Sequence, residues 1–226
     1  HSDLRRQRQM CIRDSGSGVG VFASKGYFLY TKAQGLGNNT VWCSMVSRKP
    51  SLWVGTSSGF AEFDGKMFRT YDAKNGLNAK KVYALSEDED GNIWIGTKEG
   101  VSVLWQGADT IQNLDVARNI RYILMDEDQL TWFCSADGLV AYNRKGKSFK
   151  TYTKADGLPD ESVMNILKDR QGRYWIGTTN GLAVMINNDI QSIKLPGNFA
   201  SNNINFLQLD KYDNLWIGTN LSLIHI

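Results

Sequence analysis

The sequence predicts an all-β fold, a β-propeller built from four-stranded antiparallel blades, with about five blades in the chain. Three observations predict it. A tryptophan recurs at 53, 94, 132, 175 and 216, with spacings of 41, 38, 43 and 41 residues. A second tag keeps the same period, reading YTKAQGL, YDAKNGL and YTKADGLP up to Leu36, Leu77 and Leu158. Each period also holds four short runs rich in Val, Ile, Tyr and Trp between Gly, Asp, Asn and Lys turns, and no segment sustains a helical period. Self-similarity near 41 residues with four strands per repeat is the signature of propeller blades.

The tryptophan tile reads SLWVGTSSG, NIWIGTKEG, LTWFCSADG, RYWIGTTNG and NLWIGTN around Trp53, Trp94, Trp132, Trp175 and Trp216. Five copies of one packing solution are more economical than five copies of one functional site. The ring is expected to pack between adjacent blades. The glycine two residues later leaves room for a neighbouring strand to approach. Cys134 replaces that glycine in the third tile, and the Gly-Leu tag before it is lost as DVARNIRY. The junction between the second and third complete blades is therefore expected to be the least regular.

Six residues before each tryptophan stands Asp88, Asp126, Asp169 or Asp210, with Ser47 in the first tile. An aspartate opening a tight turn accepts hydrogen bonds from backbone amides two residues on, and Gly91, Gln129, Gly172 or Asp213 closes the turn in a left-handed conformation. These acids read as turn staples. Each turn offers too few converging oxygens for calcium, which takes six to eight.

The repeat register gives blade units of roughly 16–36 (partial), 37–77, 78–118, 119–158, 159–201 and 202–220 (partial). Residues 1–15 and 221–226 break the register and are expected to be non-native tails. The net charge is +3. Four arginines against two aspartates in residues 1–15 supply +2 of it, which leaves +1 for the repeats. That balance argues against a nucleic-acid surface. No apolar run approaches the roughly 18 residues of a membrane helix. Cys11 lies in the tail; Cys43 and Cys134 are expected to be buried thiols rather than a disulfide, since they fall two repeats apart.

Trp-Ile-Gly-Thr-x-x-Gly-Leu followed by Phe/Tyr-x-x-Tyr-x-x-x-x-Gly-Leu resembles the two-component regulator propeller repeat. RYWIGTTNGLAV (173–184) and FKTYTKADGLPDESVMNIL (149–167) carry the likeness best, and it extends over roughly residues 16–220. The resemblance implies a seven-bladed ring, of which this chain would be an incomplete arc, in the periplasmic part of a bacterial sensor of Bacteroidetes type. It further implies a histidine kinase and a membrane anchor in C-terminal parts, an oligosaccharide or other small polar ligand, and a homodimer formed through the full-length receptor. It implies no nucleic acid for this segment.

The catalytic inventory is thin. The only histidines are His1 and His225, both in the tails, which removes Ser-His and Cys-His pairs and histidine zinc sites from the repeats. There is no phosphate loop or dinucleotide fingerprint. The most obvious acids recur at equivalent places in successive blades, which argues for structure over paired-carboxylate glycosidase chemistry. No catalytic residue, metal site or cofactor is assigned.

Binding is the better reading. In a propeller, the turn between the second and third strands of a blade and the crossover to the next blade share one end. These segments are rich in Asn, Ser, Asp and Lys. The ligand-binding candidates are Asn38, Asn39, Asn78, Lys80, Lys98, Glu99, Asp137, Asp160, Thr179, Asn180, Asn202 and Asn203. The leading function is a periplasmic ligand sensor. The alternatives are a protein–protein interaction scaffold and, further off, a propeller glycosidase or lyase, because fold alone does not decide function.

Overall fold

The computed structural model describes residues 10–14, 18–23, 26–49, 51–127, 129–194, 202–221 and 223–225. The first nine residues of the expected N-terminal tail, residue 226 and most of the crossover 195–203 lie outside the described residues. The chain divides into two compact units, His1–Asp115 and Val116–Ile226. The boundary falls in the segment that lacks the Gly-Leu tag.

Among the described residues there are six antiparallel sheets, four of four strands and two of three. In the first unit these are β1 (Met10–Asp14), β2 (Gly18–Ala23) and β3 (Gly26–Tyr30); β4 (Val41–Val46), β5 (Leu52–Thr56), β6 (Gly59–Phe63) and β7 (Phe68–Tyr71); and β8 (Val82–Glu87), β9 (Ile93–Thr97), β10 (Val101–Leu104) and β11 (Ile111–Leu114). The second unit holds β12 (Tyr122–Met125), β13 (Leu130–Ser135), β14 (Gly138–Asn143) and β15 (Ser148–Tyr152); β16 (Val163–Lys168), β17 (Tyr174–Thr178), β18 (Gly181–Ile186) and β19 (Asp189–Ile193); and β20 (Ile204–Leu209), β21 (Leu215–Thr219) and β22 (Leu223–His225). Every sheet is a meander in which sequence neighbours pair. β1 lies within the segment expected to be a non-native tail and pairs with β2; β22 pairs likewise with β21.

Burial explains why the tiles are so apolar. β5, β9 and β10 are buried at every position, so their side chains are mostly apolar on both faces. The outer strands β7 and β15 are largely exposed except for their final tyrosines, Tyr71 and Tyr152. In the first unit, Trp53, Phe60 and Tyr71 of the second sheet pack on Val82, Ile93, Ile95, Leu104 and Ile111 of the third. Phe60 and Tyr71 stack with ring centroids 5.0 Å apart. In the second unit, Trp132, Leu139 and Tyr152 pack on Val163, Ile166, Ile176 and Met185. Trp53, Trp94 and Trp132 are at most 6% exposed. Trp175 is half-buried and packs against the last sheet, and Trp216 is half-buried as well.

The glycine of the tile does allow close approach. A Cβ at Gly55 would stand 2.9 Å from Val82 Cγ1 and 3.0 Å from Val82 O in the next sheet; at Gly177 it would stand 2.6 Å from Ile204 Cγ2. Cys134 fills this position in the fourth sheet and is fully buried, and burial pushes its thiol pKa up. Cys43 differs from expectation: it is half-buried, packed against the second-to-third sheet core. Neither forms a disulfide.

The Gly-Leu tag is a capped 3-10 turn, a device not apparent in the sequence reading. Thr31, Asp72 and Thr153 cap turns at Lys32–Gln34, Ala73–Asn75 and Lys154–Asp156, and Gln34, Asn75 and Asp156 return hydrogen bonds to the capping residues' amides. This reciprocal arrangement satisfies two otherwise orphaned donors. Gly35, Gly76 and Gly157 then adopt φ of 96°, 96° and 105°, where any other residue is strained. The leucine that follows is buried each time: Leu36, Leu77 and Leu158.

Candidate functional site

The two ends of each blade do different work. At the end holding the first-to-second strand turns, Asp88, Asp169 and Asp210 staple their turns. Each Oδ1 accepts from the backbone amides of the second and fourth residues on, at 2.8 to 3.1 Å. Gly91, Gly172 and Asp213 take φ of 81°, 80° and 66°. The other oxygen, Oδ2, accepts the indole N–H of Trp94 (2.9 Å), Trp175 (3.0 Å) and Trp216 (3.3 Å). The constant six-residue spacing was the signal for this bond, and the sequence reading did not take it up. The fourth residue on also donates its side chain to Oδ2: Asn92, Arg173 and Asn214. Donation by Asn214 holds Asp210 down at about 2; at Asp169 burial opposes, but the amide and guanidinium of Arg173 lower its pKa.

Asp126 departs from this pattern. Its fourth residue on is Leu130, which has no side-chain donor. Its carboxylate instead binds Lys168 Nζ at 2.7 Å and the Tyr174 hydroxyl, both on the next sheet. Burial alone would raise the Asp126 pKa, but Lys168 and Tyr174 pull it below the ordinary value, and Asp126 in turn raises that of Lys168. Trp132 Nε1 is left buried with no acceptor among the described residues.

At the opposite end lie the crossovers and the second-to-third strand turns. Four first strands carry a β-bulge one residue from their start, between Val41 and Cys43, Val82 and Ala84, Val163 and Asn165, and Ile204 and Phe206. The bulged residues are Trp42, Tyr83, Met164 and Asn205. A bulge re-aims the side chain it carries. Here the side chains meet the turns of this end: Trp42 Nε1 donates to Ser57 Oγ (2.9 Å), and Asn205 Nδ2 to Asn220 Oδ1 (2.5 Å). Trp42 and Tyr83 form an edge-to-face pair with centroids 5.3 Å apart, and Lys81 Nζ stands 5.7 Å over the Trp42 ring. Both rings are half-buried. This partly open aromatic pair escaped the sequence reading, since bulges leave no composition signal.

The structure sorts the sequence candidates into two groups. Asn38, Asn39, Asp160 and Thr179 are half-buried and hold loops. Asn38 caps Thr40 N and donates to Ser58 Oγ, and Asn39 Oδ1 accepts from Lys32 N. Asp160 accepts from Ser162 N and Thr179 Oγ1 and pairs with Lys154; the Ser162 amide leads in lowering its pKa. Asn78, Lys80, Lys98, Glu99, Asp137, Asn180 and Asn202 are exposed, and Asn203 is half-buried. In the first unit Asn38, Ser58, Ser57, Trp42, Tyr83 and Lys81 form one connected cluster, and the Lys80 carbonyl accepts from Gly59 N at 2.6 Å beside it. Asp160 and Thr179 form a separate cluster in the second unit.

Among the described residues no group of three or more His, Cys, Asp or Glu is placed to hold a metal ion, and no helix is long and apolar enough to cross a membrane.

Comparison with known proteins agrees with this architecture. The model of the family "Two component regulator propeller" matches residues 76–99, 157–180 and 198–221, in each case a span that contains a tile tryptophan near its C-terminal end. The chain is 27% identical over 93 residues to Histidine kinase P4 of Formosa agariphila, covering 39% of this chain and 7% of that protein. Among solved structures it is similar to the extracellular domain of a protein described as the hybrid two component system BT3049 of B. thetaiotaomicron (TM-score 0.81, 21% identity, 94% of this chain and 31% of that one). It is also similar to the extracellular domain described as the one component system BT4673 of the same organism (TM-score 0.77, 21% identity, 97% and 28%). The chain thus spans a third or less of the length of these relatives, and at such identities the structural likeness speaks to fold. The repeats that fit the family model are the same tiles that build the blades, and three of them are similar to the two component regulator propeller repeat.

Proposed function

We propose that this segment is the ligand-sensing, periplasmic part of a two-component receptor, and that it binds an oligosaccharide at the crossover end and relays occupancy to a histidine kinase. The observation that carries the reading is the half-open Trp42–Tyr83 pair with Lys81 beside it, at an end whose exposed residues include Asn78 and Lys80. An aromatic face accepts the C–H side of a sugar ring, and amide and ammonium groups around it serve its hydroxyls. The kinase relative and the extracellular domains of similar fold support the receptor context. Enzyme activity has no support in the family matched, which is a regulator propeller.

The test is calorimetric titration of the chain with a panel of plant and algal oligosaccharides, repeated with Trp42→Ala and with Lys81→Ala. Saturable binding lost in Trp42→Ala and weakened in Lys81→Ala is the expected result. Unchanged affinity in both variants would move the site elsewhere. No binding across the panel, with a protein partner captured instead, would favour the scaffold.

A further inference from the structure

A second site lies at the other end of the first unit. There the turn after β4, the turn after β8 and the turn after β10 enclose a cavity of about 180 Å³. Its floor is Trp53 and Tyr71, rings 5.9 Å apart, with Ile93 and Leu104. All four floor residues are at most 6% exposed. The volume is several times the roughly 30 Å³ that one water occupies in the liquid.

The cavity sits where the repeat is broken. In three other blades an aspartate six residues before the tryptophan accepts the indole N–H. Here that residue is Ser47. The turn frame is kept, since Ser47 N donates to Ser51 O at 2.9 Å just as Asp88 N donates to Asn92 O at 3.0 Å. Glu87 of the next sheet occupies the region, but it is held by Ser47 Oγ (3.0 Å) and Arg48 N (2.7 Å). The Trp53 indole, in a residue 94% buried and lining the cavity, makes no hydrogen bond among the described residues.

Most other charges around the cavity are committed. Arg69 pairs with Asp109 at 2.5 Å, and Lys49 Nζ lies 2.9 Å from the Gln106 side-chain amide, whose oxygen accepts from it when the amide is turned to match its neighbours. Glu62, directly opposite Trp53 in the β5–β6 register and Arg69 in the β6–β7 register, makes no side-chain hydrogen bond among the described residues. One donor, the Trp53 indole N–H, and one acceptor, the Glu62 carboxylate, therefore face the cavity as cross-strand neighbours, whose Cβ atoms lie about 5 Å apart. A hydroxyl group serves both, accepting from the indole and donating to the carboxylate. A carboxylate ligand would meet Glu62, Glu87 and Asp109, and an ammonium would leave the indole unsatisfied.

We propose that this cavity binds a single neutral sugar residue or similar cyclic polyol, with a hydroxyl between Trp53 Nε1 and Glu62. It is independent of the crossover-end site: neither needs the other.

The test follows the indole N–H resonances of the uniformly 15N-labelled chain during titration with glucose, galactose, mannose, arabinose and myo-inositol, with sodium acetate and tetramethylammonium chloride as controls. Trp53→Phe assigns the peak. The expected result is a saturable shift of the Trp53 peak with at least one neutral polyol and with neither control, about tenfold weaker in Glu62→Gln. In Ser47→Asp, which restores the acceptor present in the other blades, the Trp53 shift should vanish while the melting temperature holds. Trp42→Ala should leave it intact, so failure at one site is distinguishable from failure at the other. No shift with any polyol, a shift with a control alone, or equal shifts in wild type, Ser47→Asp and Glu62→Gln would each overturn the proposal.

Discussion

Asp126 stands six residues before Trp132 and yet leaves that indole without an acceptor, because its carboxylate reaches across to Lys168 and Tyr174. The same two residue types at the same spacing are bonded at Asp88–Trp94. One repeat thus exchanges a bond within a blade for a bond between blades, and two consequences can be measured from it.

The first compares Trp132→Phe with Trp94→Phe. Both rings are almost fully buried. Removing the Trp94 N–H breaks a bond to a carboxylate, for which the usual loss is about 1.5–3 kcal/mol. Removing the Trp132 N–H deletes a donor that is already unsatisfied. Trp132→Phe is therefore expected to be less destabilising by at least about 1 kcal/mol in urea unfolding. Equal losses would mean that Trp132 finds an acceptor in solution.

The second concerns Lys168→Met. It removes the partner of a carboxylate that is 2% exposed at its side chain. Breaking such a pair typically costs about 3–5 kcal/mol because a charge is left buried; with Lys168 itself 30% exposed, a smaller loss, about 2–3 kcal/mol, is expected after screening. Adding Asp126→Asn should recover part of it, and an additive double mutant would show the pair to be uncoupled.

Acid should weaken the second unit. Asp210 is held at about 2 against an ordinary 3.8, and Asp126 and Asp169 are lowered as well. A carboxyl depressed in the folded state stabilises it above the unfolded pKa and loses that contribution as pH falls through the folded one. The melting temperature is expected to fall between about pH 4 and about pH 2, and Asp210→Asn should flatten part of that fall. A wild-type melting temperature that stays level across this window would contradict the assignment.

Gly177→Ala tests the close approach of blades. The new methyl would stand 2.6 Å from Ile204 Cγ2, so the neighbouring strand must move. Overpacking of this kind costs about 1–3 kcal/mol, and Ile204→Val in the same chain should return part of it. Stability equal to wild type would show that the last sheet is not packed on this one in solution.

Much of this architecture could be read from the sequence because it repeats. The strands around Trp94 and Trp132, the turn role of Asp88 and Asp169, and the close approach at Gly55 all follow from residue type and spacing. What could not be read depends on contacts between residues far apart in the chain. Nothing local distinguishes Asp126 from Asp88 until Lys168 is placed beside it. Trp175 is less buried than Trp94 for the same reason: its burial is set by the sheet that follows it. The candidate binding residues were chosen for polarity in crossovers, a criterion that does not separate loop-holding groups such as Asp160 from free ones such as Lys98. The aromatic pair Trp42–Tyr83 was missed because a bulge is a property of two paired strands.

Those bulges also bear on how the surface of such a propeller can change over evolutionary time. A residue excused from ladder pairing is excused from the demands that pairing makes on shape. Trp42, Tyr83, Met164 and Asn205 differ in size, polarity and charge-bearing neighbours, while the valine or isoleucine just before each is fully or almost fully buried. Diversity and invariance sit on adjacent residues of one strand. New specificities can accumulate at the bulge, one blade at a time, without the scaffold registering the change.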